Sequence, residues 1–393
     1  MTEPGLIVIG SGPAGVGAAG AYRQRRPEAP VRVLTADDRH PYARPPLSKE
    51  FLRGETDDVG MHPEQWFDER AIEVILAAPV EHIDVARRIV TAGGEEYPYS
   101  ALVLASGASP SPLPVPGGER ALQLRSLDDA DRLRAAATEA RSAVVIGAGF
   151  IGCEAAASLA SRGLSVTLVA PSEMPQQKRL GEAAGQRLLE LVEATGARYV
   201  GGVEIATIEG NSVLLESGVT ITADLILAAT GITPNSGLAD DIGVELQDGR
   251  IVVDAEMSTN VDGVYAAGDV ARAFNTTAGR PLMVEHWQDA ADQGEVAGAS
   301  AAGDDDAKWS GVPGFWTTIG DATVKYHAWG DGFDRCRLVE HDGGFTVWYE
   351  ADGATVGVLT YNADDDYDEG EELISAGKPA PVDMDADRGA DSH

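Results

Sequence analysis

The sequence predicts an α/β protein with two Rossmann-like dinucleotide-binding domains, one inserted in the other, and a small C-terminal α+β domain. Two glycine fingerprints carry this prediction, GSGPAG at residues 10–15 and GAGFIG at residues 147–152. Each follows an apolar run, 6–9 or 143–146, and precedes a run of small helix-compatible residues. The glycines of this motif allow a tight turn, a close backbone approach to a pyrophosphate, and close helix–strand packing. We therefore expect two dinucleotides, each with its pyrophosphate at a helix N-terminus.

The first βαβ unit begins at residue 5 and extends to about residue 40. Its second strand, predicted at residues 31–34, is followed by Asp37, where a carboxylate can bind an adenosine ribose. Residues 103–107 close this segment as a strand that ends on small residues. The Pro-rich stretch 109–117 is typical of a stiff linker between two domains.

The second βαβ unit repeats this plan, with strands predicted at residues 143–146, 166–169 and 225–231. Residues 263–270 then form a strand followed by a helix start, which indicates that the chain returns to complete the first domain. Aromatic residues and short alternating strands after residue 304 indicate the α+β domain, whereas the end of the chain lacks apolar periodicity. The predicted boundaries are 1–110 and 234–303 for the two parts of the first domain, 111–233 for the inserted domain, 304–375 for the C-terminal domain and 376–393 for a disordered tail.

Composition excludes several functional classes. The formal net charge of −33 disfavours binding to nucleic acids and to anionic membrane surfaces. The simplest interpretation of the excess acidic residues is a well-solvated protein surface. No apolar run approaches the roughly 20 residues that span a bilayer, and no basic leader precedes the first strand, so we expect a cytoplasmic protein. Cys153 and Cys336 stand in unrelated contexts, and the seven histidines are scattered, so neither a redox cysteine pair nor a metal site is expected.

Four passages together resemble the FAD-dependent ferredoxin reductases of oxygenase systems, the putidaredoxin and rubredoxin reductase group of the glutathione-reductase-like fold, which is related to apoptosis-inducing factor. They are residues 10–15, PYARPPLSK at 41–49, VIGAGFIGCE at 145–154 and VYAAGD at 264–269. The resemblance implies an enzyme that takes a hydride from NADH or NADPH onto FAD. It also implies that single electrons then pass to a ferredoxin-type iron–sulfur protein serving an oxygenase or a cytochrome P450.

For the FAD site, the resemblance implies that the first fingerprint holds the pyrophosphate and that Asp37, in place of the more usual Glu, binds the ribose. Arg44 then approaches the phosphates, Asp269 the ribityl chain or phosphates, and Lys49 the isoalloxazine ring. A cation beside the ring favours the anionic reduced flavin. The other positions assigned to FAD are Gly10, Gly12, Pro13, Ala14, Gly15, Val80, Ala105, Gly107, Gly268, Glu285, His286, Trp287 and Trp316.

For the nicotinamide site, the resemblance implies that Glu154 pairs with Lys49, and these two residues are the predicted catalytic pair. A carboxylate at Glu154 could instead only begin a helix, where the dipole favours it. Ala170 stands where NADH-specific relatives carry a Glu for the ribose diol, while Lys178 and Arg179 could meet a 2′-phosphate or lie as surface charges, so NADH and NADPH both remain open. The other positions assigned to NAD(P)H are Gly147, Gly149, Phe150, Ile151, Gly152 and Gly231.

The expected protein partner is a ferredoxin-type carrier, and a monomer and a homodimer are both open. An acidic carrier would need a local basic patch, and screening confines the repulsion by the remaining charge to about 8–10 Å. Two alternatives remain: a diaphorase or quinone reductase that serves small acceptors, and a redox-sensing interaction protein resembling apoptosis-inducing factor. The candidate residues for the basic patch are Arg53, Lys325, Arg335 and Arg337.

Overall fold

The structure is a computed structural model that describes residues 4–381. Residues 4–141 contain β1 (Leu6–Ile9), α1 (Pro13–Arg25), β2 (Val31–Leu34), α2 (Glu50–Arg53), α3 (Glu64–Glu69), β3 (Ile72–Ile75), β4 (Val80–Asp84), β5 (Ile89–Ala92), β6 (Glu95–Pro98), β7 (Ala101–Leu104), β8 (Ala108–Pro110) and α4 (Leu127–Glu139), with 3₁₀ turns at Pro45–Ser48 and Gly118–Arg120. Residues 142–236 contain β9 (Ser142–Ile146), α5 (Phe150–Ser161), β10 (Ser165–Val169), α6 (Gln177–Ala194), β11 (Arg198–Val200), β12 (Ile205–Glu209), β13 (Ser212–Leu215), β14 (Thr220–Thr222), β15 (Leu225–Ala228) and β16 (Ile232–Pro234). The remaining elements are α7 (Gly237–Asp241), β17 (Leu246–Gln247), β18 (Arg250–Val253), β19 (Val264–Ala266), β20 (Ala271–Asn275), β21 (Arg280–Leu282), α8 (Trp287–Ala301), β22 (Gly314–Ile319), β23 (Ala322–Ala328), β24 (Arg335–His341), β25 (Gly344–Ala351), β26 (Ala354–Tyr361) and α9 (Asp364–Ala376).

A parallel sheet of five strands, in the order β19-β7-β1-β2-β3, forms the core of the first unit. Every residue of β1 and β7 is buried, as expected for strands covered on both faces. Helix α8 packs on α1 so closely that a Cβ on Gly294 would lie 2.1 Å from the Ala14 carbonyl oxygen. Because β19 pairs with β7 after the whole second unit has intervened, the prediction that one unit is inserted in the other is confirmed.

The second unit is built on a parallel sheet in the order β11-β10-β9-β15, with the antiparallel sheet β12-β13-β14 beside it. Strand β15 is fully buried, and β9 is buried at every position except Ser142, its one polar residue. The two chain crossings between the units, β8 and β16, pair with each other in antiparallel register. This pairing ties together the start and the end of the inserted unit.

The C-terminal unit is an antiparallel sheet in the order β22-β23-β26-β25-β24, with α9 packed on β26. Its core residues Val347, Val358 and Leu359 are fully buried. The edge strand β22 contacts both α5 and α8. The sheet therefore brings β22 to the junction between the two nucleotide units.

Two local predictions are wrong. The helix start predicted after Gly268 is the strand β20, in which alternate residues are buried, so the period is two rather than 3.6. The predicted tail begins inside α9, and Ala380 is 7% exposed because it packs in an apolar cluster with Val312 and Trp348. Residues 376–381 are therefore ordered, and the rest of the predicted tail, 382–393, lies outside the described residues.

Among residues 4–381, no helix combines the length and the apolar character that crossing a bilayer requires.

Candidate active site

A cavity of about 390 Å³ opens between the two nucleotide units, where β1 and β9 end and α1 and α5 begin. Ligands of open α/β sheets bind at this place, outside the carboxyl ends of the strands. The structure brings most of the predicted positions to this one cavity. Those that line it are Gly12, Pro13, Ala14, Arg44, Lys49, Ala105, Gly107, Gly149, Phe150, Ile151, Gly152, Glu154, Arg179, Gly231, Gly268, Asp269, Glu285, His286, Trp287 and Trp316.

The three glycines of the first fingerprint have different surroundings. Gly10 has a left-handed φ of +110°, and a Cβ there would lie 2.2 Å from the carbonyl oxygen of Ala105. A Cβ on Gly15 would lie 1.9 Å from the carbonyl oxygen of Gly10. Gly12, by contrast, faces the cavity, and the nearest atom to its Cβ would be Arg44 Nη1 at 3.5 Å. The protein itself therefore requires the first and third glycines, whereas only a ligand requires the second.

The second fingerprint repeats this arrangement beside a further cavity of about 490 Å³. A Cβ on Gly147 or on Gly152 would lie 2.3 Å or 1.9 Å from a backbone oxygen, but at Gly149 the nearest atom would be 3.9 Å away. The two cavities share Gly149, Arg179 and Gly231, so they are continuous around the start of α5. The predicted positions that line the second cavity are Gly147, Gly149, Ala170, Lys178, Arg179 and Gly231.

Lys49 and Glu154 form a buried ion pair at the wall of the first cavity. Lys49 Nζ lies 3.0 Å from Glu154 Oε2, and the two residues are 6% and 4% exposed. Ser48 Oγ donates to the same oxygen at 2.5 Å. Thr317 Oγ1 donates to Glu154 Oε1 at 2.7 Å, and Thr318 N donates to it at 3.3 Å. The first unit and the C-terminal unit thus both supply partners to this one carboxylate of the second unit, which is far more than a helix start requires.

Arg44 and Arg125 place two cations at the first cavity. Arg44 Nε is buried and makes no hydrogen bond to any residue in the range 4–381, and burial lowers the pKa of its guanidinium, followed by repulsion from Arg125. Arg125 Nη2 lies 2.5 Å from Asp269 Oδ2. The sequence analysis missed Arg125, because an arginine outside any motif carries no local signal and only the fold places it beside Asp269.

An aromatic and polar wall closes the other side of the cavity. Phe315 contacts Phe150 edge to face at a centroid separation of 4.6 Å, and it packs against His286 at the same separation. His286 Nδ1 lies 3.1 Å from the buried carboxylate of Asp289. Trp316, the next residue, remains 49% exposed at the cavity. Glu285 pairs with Arg250, a second cation that the sequence analysis missed.

The positions Gly10, Gly15, Asp37 and Val80 line neither cavity. Asp37 Oδ2 accepts a hydrogen bond from the Tyr42 hydroxyl at 2.8 Å, and that hydroxyl accepts from Leu127 N at 3.0 Å. The Asp37 carbonyl accepts from Ala77 N, which brings the loop before Val80 beside this acid. Asp37 and the loop before Val80 therefore lie side by side after the end of β2, and neither Asp37 nor Val80 lines either cavity.

The candidate site has no thiol pair. Cys153 is buried in α5, and burial raises the pKa of its thiol to about 12. Cys336 is half-buried, and burial also raises the pKa of its thiol. Both are free thiols, and because the pKa of each is raised, neither is an activated nucleophile. Within residues 4–381, no cluster of three or more His, Cys, Asp or Glu side chains could hold a metal ion.

Residues 4–294 match the family described as pyridine nucleotide-disulphide oxidoreductase. The chain belongs to this family. The rubredoxin-NAD(+) reductase of Pseudomonas putida is 34% identical over 330 residues, which cover 81% of this chain and 85% of that protein. Apoptosis-inducing factor 3 of Homo sapiens is 31% identical over 386 residues, which cover 95% of this chain and 63% of that protein.

Two solved structures share the whole arrangement. The ferredoxin reductase for the CYP199A2 system from Rhodopseudomonas palustris has a TM-score of 0.91 at 28% identity, covering 99% of this chain and 100% of that one. The putidaredoxin reductase in a covalent complex with putidaredoxin has a TM-score of 0.91 at 26% identity, covering 96% and 94%. The predicted fold class and the predicted family resemblance are therefore confirmed.

The family implies FAD and a nicotinamide dinucleotide, and the residues present fit both. The first cavity offers the half-buried Arg44, which forms no ion pair within residues 4–381 and whose buried Nε has no hydrogen-bond partner there, beside the open Gly12 at the start of α1, where backbone N–H groups and the helix dipole favour a pyrophosphate. The second cavity repeats the open glycine at Gly149. An unpaired buried cation is costly unless an anion completes it, so this site is built for an anionic ligand.

The predicted basic patch is neutralised by neighbouring acids. Arg53, Lys325 and Arg335 each form an ion pair, and the contacts of Arg337 include a hydrogen bond that it donates to the Pro381 carbonyl. The patch therefore presents little net positive charge to an acidic carrier. The ion pairs are Arg53–Glu55 at 2.8 Å, Lys325–Asp364 at 2.8 Å and Arg335–Glu350 at 2.7 Å.

Proposed function

We propose that this protein is an NAD(P)H-dependent flavoprotein reductase of a ferredoxin- or rubredoxin-type carrier, of the kind that serves oxygenase and cytochrome P450 systems. The observation that carries the proposal is the buried Lys49–Glu154 pair, which joins the two fingerprint-bearing units at the wall of a shared cavity. The reductases of rubredoxin and ferredoxin among the relatives support it. The missing thiol pair argues against disulfide chemistry at this site.

The first cavity would hold FAD, with its pyrophosphate at Gly12 and Arg44 and its ribityl side toward Asp269 and Arg125. When bound, FAD would supply the chemistry that side chains lack, since it accepts both electrons of a hydride and releases them one at a time. Arg44 would gain the anionic partner that it lacks among the described residues. Asp269 would hold Arg125 in place and offset part of the repulsion between Arg125 and Arg44.

Lys49 would place a fixed cation beside the ring, and Glu154 would fix the position of that cation. The ammonium cannot turn away, because its only hydrogen-bond partner among the described residues is Glu154, which Ser48 and Thr317 hold in turn. A preoriented charge stabilises negative charge on a neighbouring group without reorganising as that charge develops. The pair is therefore a positioning and electrostatic device, and no side chain needs to act as a nucleophile.

The electron carrier would dock where the cavity meets the surface. Trp316 lines the cavity and is 49% exposed, and Met283, on the loop that leads to α8, is equally exposed. Exposed large apolar side chains at the edge of a cavity are typical of an interaction site. A carrier bound here would approach the ring without relying on the neutralised basic patch.

The decisive experiment mixes the FAD-loaded protein with NADH or NADPH without oxygen and follows the loss of the flavin absorbance. Rapid loss with at least one nucleotide is expected, and no loss with either would refute the proposal. Lys49→Ala should keep FAD bound but slow this step at least tenfold, the scale of one preoriented electrostatic contact. Lys325→Ala, which removes a half-buried, ion-paired lysine from outside both cavities, is the matched control and should leave the rate unchanged.

The acceptor is tested by steady-state turnover with cytochrome c as the final electron acceptor. A carrier reductase reduces cytochrome c only after a ferredoxin or rubredoxin is added. A diaphorase would reduce quinones without any carrier, and a redox sensor would form a long-lived reduced complex with little turnover. Either of these two results would contradict the assigned acceptor.

A further inference from the structure

The residues that line the second cavity carry a net positive charge, whereas the protein as a whole is strongly acidic. Its charged lining residues are two cations, Lys178 and Arg179, and one anion, Glu204, in a chain whose net charge is −33. Neither cation forms an ion pair or a hydrogen bond with any residue of the range 4–381 through its side chain. Since most other cations of this acidic protein have a carboxylate partner, two unpaired ones at one cavity indicate an anionic ligand.

No carboxylate stands directly after β10, the position from which an acid would bind a ribose diol at this cavity. In the first unit Asp37 follows the end of β2 by three residues, but the strand β10 is followed by Ala170, Pro171 and Ser172. The next acid, Glu173, does not line the cavity. Its carboxylate lies against Gly202 instead, since a Cβ on that glycine would be 2.5 Å from Glu173 Oε1. An acid after this strand binds the 2′-hydroxyl of NADH and would repel a 2′-phosphate.

The segment that carries the two cations is held in place. Gln176 and Gly181, with left-handed φ values of +56° and +78°, bracket the short turn 177–180. The Tyr349 hydroxyl donates to the carbonyl of Leu180 at 3.0 Å. A Cβ on Gly181 would lie 3.1 Å from the ring of Phe333, so the turn rests against the C-terminal sheet. The backbone of the turn that carries Lys178 is therefore anchored beside the cavity, and the exposed Lys178 side chain extends from it.

We propose that the second cavity selects NADPH over NADH, with Lys178 meeting the 2′-phosphate and Ala170 leaving its place free of negative charge. Arg179 also lines the first cavity and lies 6.0 Å from the ring centroid of Phe150, which assigns it to the pyrophosphate common to both nucleotides. The inference rests on the proposed function, in which the second cavity binds the nicotinamide nucleotide. Glu204 also lines this cavity, and its neighbour Val203 donates a backbone hydrogen bond to the Ala170 carbonyl. If Glu204 bound the ribose diol, the site would favour NADH instead.

The test is a calorimetric titration of the FAD-loaded protein with NADP⁺, with NAD⁺, and with the fragments 2′,5′-ADP and 5′-AMP. NADP⁺ and 2′,5′-ADP should bind at least tenfold more tightly than NAD⁺ and 5′-AMP, because a hydrogen bond between charged groups is worth about one to two orders of magnitude in affinity. Lys178→Ala should remove this difference and leave NAD⁺ affinity within twofold. Lys378→Ala, which removes the same charge from outside both cavities, is the matched control.

Three results would overturn the inference. NAD⁺ binding as tightly as NADP⁺ would refute the selectivity, and an equal loss of both nucleotides in Lys178→Ala would assign Lys178 to the pyrophosphate. A loss of NAD⁺ affinity in Glu204→Gln, together with preference for NAD⁺ in the unmodified protein, would assign the ribose diol to Glu204. Binding of neither nucleotide would refute the proposed function itself, whereas the first three results leave that function standing.

Discussion

Replacing Glu154 by Gln should destabilise the protein strongly, because it leaves the ammonium of Lys49 buried without a carboxylate. Two donors reach each carboxylate oxygen, and an amide retains only one acceptor oxygen for them. The Ser48 and Thr317 hydroxyls can rotate toward other acceptors, but Lys49 is 6% exposed and its ammonium has no other hydrogen-bond partner among residues 4–381. Breaking a buried ion pair from one side costs about 3–5 kcal/mol.

Lys49→Met tests the same pair from the other side. It leaves the Glu154 carboxylate with three donors, so it should cost less, about 1.5–3 kcal/mol. In the double variant neither charge is left unpaired, and its loss should fall short of the sum of the single losses by about 2 kcal/mol. The measurement is urea unfolding followed by tryptophan fluorescence, with the same saturating FAD in every sample because bound ligand adds to stability. Losses that add within about 0.5 kcal/mol would refute the reasoning.

Three further outcomes follow from individual groups. Arg44→Met should weaken FAD binding at least tenfold in a fluorescence titration, and unchanged affinity would contradict the assignment. The melting temperature of the FAD-free protein should not fall, because the substitution also relieves the repulsion between Arg44 and Arg125. Of the two thiols, only Cys336 should react with a disulfide reagent at pH 8 before unfolding, since burial raises the pKa of Cys153 to about 12; rapid reaction of both would disprove this. Burial lowers the pKa of His327, so the unfolded chain takes up a proton first, and stability should fall as pH drops through about 6.5 toward the lower folded value. His327→Gln should unfold with a shallower pH dependence over that window, and an unchanged slope would exclude this histidine.

The relatives include both reductases and apoptosis-inducing factor 3, and the chain covers a larger share of the reductases. It aligns with 85% of the Pseudomonas putida rubredoxin reductase but with 63% of the human apoptosis-inducing factor 3. The reductase structure from Rhodopseudomonas palustris is covered in full. Turnover with an added carrier is therefore the measurement that separates the two groups.

The sequence by itself determined the parts that depend on local sterics. At Gly10 and Gly147 the left-handed φ values and the close backbone contacts allow no side chain. Only glycine can occupy such positions, and for that reason the motif is recognisable in the printed sequence. The apolar runs that become β1 and β9 are recognised because strands buried on both faces are apolar throughout. Local pattern was less reliable at Ala271–Asn275 and after Ala376, where packing against distant residues decides the conformation.

Only the tertiary structure decided which charges meet. Arg125 and Asp269 are 144 residues apart in the sequence, and no motif links them. The sequence likewise left Lys178 between a surface charge and a ligand, and its place at the cavity depends on the contacts of Leu180 and Gly181 with the C-terminal sheet. A fingerprint is recognisable because its constraint acts between neighbours in the chain, whereas an ion pair or a ligand contact depends on how separate units pack, which leaves no local trace in the sequence.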